Sequence, residues 1–139
     1  MRTVEVVRPM NIECDPVVEL DGAHDPTPAA TVEIRGAVRA LLDQWHIVGT
    51  AAEDVLLVVH ELVANVVDHA KTPFRLAIKL CGSVVQVWVR DQSRRPIVVR
   101  PLDPESLRGR GLPLIAAIAD NWGCQECSDG KTVWAAIPV

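Results

Sequence analysis

Long apolar runs are missing from this chain. None approaches the roughly 20 consecutive residues that a membrane-spanning helix requires, although 49% of the residues are hydrophobic. Nor does the amino terminus have the continuous apolar core of a signal peptide, because Glu5 and Arg8 interrupt its valines. The pattern therefore predicts a cytoplasmic protein with no membrane partner. Basic charge is also in short supply. The net charge is -4, and nucleic acid is held chiefly by clustered lysine and arginine, so no direct nucleic-acid contact is expected. No second cysteine pair or His-rich knuckle accompanies Cys124 and Cys127, which leaves their Cys-x-x-Cys spacing two ligands short of a zinc site. Those two cysteines also sit on a predicted strand, where positions three apart face opposite ways, so no metal or redox role is assigned to them. At 139 residues the chain can bury a real core as one domain. It is too short for a kinase with separate sensor, dimerisation and catalytic parts.

Periodicity divides the chain into an amino-terminal stretch, residues 1 to 27, and a single domain over residues 28 to 139. Residues 3 to 8 read as a short edge strand, and residues 15 to 27, with two prolines and Gly22, read as loop broken by a strand at 17 to 20. Helical spacing of Val32, Ile34, Val38, Leu41, Leu42 and Trp45 predicts a first helix over 29 to 46. A capping box of Thr50 and Glu53 opens a second helix over 51 to 70, with Val55, Val59, Leu62, Val63, Val66 and Ala70 as its apolar stripe. Period-two alternation then predicts a hairpin, 74 to 80 and 84 to 90, around Cys81-Gly82-Ser83. Residues 92 to 108 form a long polar loop, of a length that in a compact domain is usually a functional lid or disordered. A third helix over 111 to 121 and a second hairpin, 122 to 127 and 132 to 138 across Asp129-Gly130, complete the chain. This order predicts an α+β two-layer sandwich with three helices on one face of a mostly antiparallel sheet.

The second helix carries the candidate chemistry. Glu61 and Asn65 are four apart and project together, and Asp68 lies about one turn further along. The local arginines, Arg94, Arg95, Arg100, Arg108 and Arg110, are confined to the polar loop and its borders.

Four segments then occur in order: Glu61 to Asn65 with Asp68-His69-Ala70, a strand ending on Asp91-Gln92-Ser93, Gly109-Arg110-Gly111-Leu112 opening a helix, and Gly130-Lys131-Thr132 opening the last strand. Together they resemble the N box, the two glycine boxes and the closing Gly-x-Thr element of the GHKL (histidine-kinase-like) ATPases, a Bergerat-type ATP-binding fold. The match is closest to the small serine-kinase anti-sigma factors of the actinobacterial branch. A lone glycine pair would be weak evidence, since tight turns produce one anywhere. The ordered set covers nearly the whole chain, roughly residues 28 to 139.

The resemblance implies ATP and magnesium as cofactors, bound between the second helix, the lid and the amino end of the third helix. It makes Asn65 the magnesium ligand and Glu61 the general base, where a purely local reading has Glu61 pair with His60 or a lid arginine. It makes Asp91 the acceptor of the adenine amine, a buried carboxylate that would tell adenine from guanine. A plain strand-ending turn is the other reading of Asp91. Gly109, Gly111 and Leu112 belong to the phosphate side, where free amides at a helix start favour an anion. Arg108 and Arg110 beside them either contact phosphate or solvate the loop. Thr132 resembles the threonine that completes the adenine pocket, with Lys131 open to reading as a polar hairpin residue. His69 reads as a structural hydrogen-bonding residue.

The superfamily pattern Asp-x-Gly-x-Gly is replaced here by Asp91-Gln92-Ser93-Arg94-Arg95, which lowers the expected affinity for ATP more than the expectation of the fold. The function implied is an anti-sigma factor and serine/threonine protein kinase that holds a sigma factor and phosphorylates a STAS-type anti-sigma-factor antagonist. A non-catalytic partner-binding module on the same fold is the alternative, and a stand-alone ATPase a weaker third. Family members often form homodimers, and no seam in this sequence singles one out.

Overall fold

The structure, a computed structural model, describes residues 17–20, 22–94 and 111–139, with the backbone alone for 111 and 112. Helix α1 spans Pro28–Gln44. It begins where Thr27, in extended conformation, accepts a hydrogen bond from the Ala30 amide at 3.2 Å, with a proline at the first helical position. That proline lacks only an N–H that would have had no intrahelical partner anyway. The inward face is Ala30, Ile34, Val38 and Leu42, a strict four-residue spacing, and Val32 of the predicted stripe is exposed instead. The helix stops two residues before its predicted end because His46 takes a left-handed φ of 58°.

Helix α2 spans Gly49–Asn65. The predicted capping box does not form, since Val48 is the cap residue and no side chain caps the helix. The chain enters through Gly49 at φ 66°, so Thr50 already lies inside the first turn. The carboxyl end also departs from expectation. Residues Val66–Ala70 wind as a π-helical turn, closed by Lys71 at φ 54° and its N–H bond to the Val66 carbonyl. The apolar stripe nevertheless holds: Val55, Val59, Leu62, Val63 and Val66 are all buried.

The five strands are β1 (Val18–Glu19), β2 (Phe74–Cys81), β3 (Val84–Asp91), β4 (Asn121–Cys127) and β5 (Gly130–Pro138). They form one antiparallel sheet in the order β1-β2-β3-β5-β4. Helix α3, Gly111–Ile118, is shorter than predicted. Alternation puts Leu76 and Ile78 of β2, Val85, Val87 and Val89 of β3, and Val133, Ala135 and Ile137 of β5 into one core with α1 and α2. Helix α2 lies in the middle, against α1, α3, β3 and β5. The architecture is therefore the predicted α+β two-layer sandwich. Cys81, buried at the end of β2, is disulfide-bonded, which no spacing in the sequence had suggested. The strand predicted at 3 to 8 lies outside the described residues. Among the described residues, no helix is long and apolar enough to cross a membrane.

Replacing the Thr27 cap by alanine should cost roughly 0.5–2 kcal/mol, read as a lower midpoint in urea. An unchanged midpoint would mean that the Ala30 amide finds an equal partner in water.

Candidate nucleotide site

Packing of the α2 stripe fixes which way the rest of that helix points. Glu61 and Asn65, one turn apart at its carboxyl end, are both half-buried. Asp68 is half-buried and His69 exposed. Both lie in the π turn, where the wider winding means that a 3.6-residue period no longer sets their direction.

Across the core, the apolar row Val85, Val87, Val89 of β3 ends on Asp91, and the row Val133, Ala135, Ile137 of β5 begins on Lys131. The two are directly opposite in register. Lys131 Nζ donates to Asp91 Oδ2 at 2.9 Å and to Oδ1 at 3.1 Å, and the Ser93 amide donates to Oδ1 at 2.8 Å. Asp91 is 2% and Lys131 7% exposed. Lys131 is therefore an internal counter-ion and not a solvated hairpin residue. The Ser93 bond is the local turn contact expected of a strand-ending aspartate, so both readings of Asp91 are present at once. Two alternating apolar rows that end in opposite charges were visible in the sequence, and they are the signal that would have found Lys131.

Gly130 shows why this hairpin needs a glycine. Its φ is 154°, and a Cβ there would fall on the Asp91 carbonyl. Thr132 is half-buried and, by strand alternation, lies on the other side of β5 from Lys131, in register with Arg90 and Gln125. Lys131, and not Thr132, is thus the side chain that the structure brings to Asp91.

Gly111 opens α3, and Leu112 follows it in that helix. Arg108, Gly109 and Arg110 lie outside the described residues, as does most of the predicted lid. Arg94 is exposed. A cavity of about 280 Å³ at the end of the sheet is lined by Ala23, Phe74, Arg90, Asp91, Gln92 and Asp129 among others. Among the described residues none of α2 or α3 lines it, whereas Asp91 does.

Cys124 packs against the core and Cys127 is exposed. Burial, with Glu126 adding to it, pushes the Cys124 thiol up to about 11, which keeps it protonated and poorly nucleophilic at neutral pH.

Residues 25–137 match the histidine kinase-like ATPase domain. The chain belongs to that family. A solved structure, that of the RsbU and RsbW domains of Rv1364c from Mycobacterium tuberculosis, has a similar fold, with a TM-score of 0.67 at 19% identity. The likeness covers 89% of this chain and 32% of that one, so this histidine kinase-like domain spans about a third of that structure's chain. No curated protein matches it. The family implies ATP as ligand, and the described donors suit it. Asn65 has a hard neutral oxygen, Glu61 a carboxylate one turn away, and Asp91 a buried carboxylate at the end of its strand.

Gly130→Ala should destabilise the fold by roughly 2–4 kcal/mol, combining an unfavourable φ with displacement of the Asp91 backbone. Chemical denaturation reads this, and a change under about 0.5 kcal/mol, the scale of an ordinary surface substitution, would contradict the close approach. Iodoacetamide at pH 8.5 should label Cys127 well before Cys124, whose rate should climb as pH approaches 11. Equal labelling rates on mass spectrometry would refute the protected thiol.

Proposed function

We propose that this chain is an anti-sigma factor and a serine/threonine protein kinase, which binds ATP with magnesium and phosphorylates a STAS-type anti-sigma-factor antagonist. The observation that carries the proposal is the pair Glu61 and Asn65, half-buried one turn apart on the central helix of a histidine kinase-like ATPase domain. Such a pair is what phosphoryl transfer asks for, since catalysis there is mostly positioning and charge stabilisation.

Bound magnesium–ATP would supply the transferable phosphoryl group and neutralise its developing charge. The Asn65 amide oxygen is the ligand on the protein side, suited to a hard cation that keeps several waters and shares its shell with phosphates. The Glu61 carboxylate accepts the proton of the attacking serine or threonine hydroxyl, or orients that hydroxyl for attack. Phosphorylation adds up to about two negative charges to the antagonist, which disfavours its docking and leaves the kinase free to hold sigma. A sigma-factor partner would place the protein in the cytoplasm.

One observation favours a second reading. Asp91 already has Lys131 and Ser93 as partners, so this end of the site is stable with no base bound. That suits a non-catalytic module that grips its partner with nucleotide weak or absent.

Calorimetric titration with ATP, with and without magnesium, separates the two. On the kinase reading Glu61→Ala lowers phosphoryl transfer by roughly 10²–10⁴-fold and leaves ATP binding intact. Asn65→Ala weakens magnesium-dependent binding by roughly 10–100-fold. No binding at millimolar ATP would leave the partner-binding module in its place.

A further inference from the structure

We propose that Lys131 sets the base preference of the nucleotide site, converting a carboxylate that alone would select adenine into a donor–acceptor pair that accepts either purine. The inference rests on the nucleotide-binding reading above and goes beyond it, because the closing Gly-x-Thr element leaves the identity of this middle residue open.

Hydrogen-bond arithmetic at the pair carries the argument. An ionised carboxylate has about four acceptor positions, and an ammonium has three N–H donors and no acceptor. The Ser93 amide and one Lys131 bond occupy Oδ1, and the second Lys131 bond occupies one position on Oδ2. Among the described residues this leaves one acceptor position on Asp91 and one donor on Lys131. Both residues are more than nine-tenths buried on the helix-facing side of the sheet, where water competes little and each unmatched polar contact is costly.

Adenine presents an amine donor at C6 beside the N1 acceptor, whereas guanine presents an O6 acceptor beside an N1–H donor. A carboxylate alone satisfies the adenine amine but sets its own lone pairs against guanine O6. With Lys131 beside it, adenine gives its amine to Asp91 and takes the ammonium at N1. Guanine takes the ammonium at O6 and gives N1–H to Asp91. The lysine's flexible four-carbon stem lets the ammonium follow either arrangement. The expectation that Asp91 rejects guanine therefore holds only for a site without this lysine.

The test is calorimetric binding of ATP, GTP and ITP, each with magnesium, to the wild-type chain and to Lys131→Met and Lys131→Arg. ITP carries the 6-oxygen and N1–H of guanine without its 2-amino group. Wild type and Lys131→Arg should bind all three with Kd values within about threefold of one another. Lys131→Met should prefer ATP by at least about tenfold, because the 6-oxo bases then meet the carboxylate alone. Thermal melting reports whether that variant is folded despite its unpaired Asp91. If it is not, the wild-type series still decides, since a preference for ATP over both GTP and ITP of about tenfold or more overturns the proposal. So does a folded Lys131→Met whose preference equals that of wild type. Binding of ATP alone removes only this inference and leaves the kinase reading standing, whereas binding of no nucleotide removes both.

Discussion

Everything in this molecule is arranged around the burial of one stripe of α2 against the two central strands. Val55, Val59, Leu62 and Val63 are each at most 2% exposed, and burying a side chain of this kind is worth roughly 1.5–3 kcal/mol. Rotating the helix by one position would expose several of them and drive Glu61 into the core, where an unpaired carboxylate is prohibitively costly. The rotation of α2 is thus fixed by apolar contact. The half-buried setting of Glu61 and Asn65 follows from it.

The buried ion pair at the end of β3 and β5 plays a different part. Removing two charges from water costs about what their attraction returns, so such a pair is weak evidence of stability. It is strong evidence of alignment. A slip of one residue between β3 and β5 would turn every side chain of the slipped strand to the other face and leave Asp91 or Lys131 buried alone. Gly130 enforces the same register sterically, because only a residue without Cβ can pass the Asp91 carbonyl. Charge and shape therefore agree on one alignment at the place where the candidate site is built.

The parts of this fold that were legible in the sequence are those set by a single period. The stripe of α2, the alternation of β2 and β3, and the turn at Gly130 each follow from local spacing, and the order of helices and hairpins then leaves little choice of layer. What could not be read depends on events outside any one period. Gly49 draws the start of α2 forward and abolishes the Thr50 cap, and the π turn after Asn65 breaks the spacing that had joined Asp68 to Glu61. Lys131 looked like a solvated turn residue because its partner lies forty positions away. The ordered motifs pointed to Glu61, Asn65 and Asp91 as candidates. They could not say which neighbour of Gly130 faces Asp91, since that is decided by strand alternation running back from Ile137 and Ala135.

The strand order also governs how the chain must assemble. Hairpins β2-β3 and β4-β5 each close over a few residues, so their loops form cheaply and fast. The seam between β3 and β5 joins residues such as Asp91 and Lys131 that lie forty positions apart, and its closure carries the larger entropic cost. Asp91 and Lys131 sit on opposite sides of that seam. The buried Asp91–Lys131 corner is therefore among the last features to come into existence as the protein folds. A half-assembled chain would hold two intact hairpins and no Asp91–Lys131 pair at all.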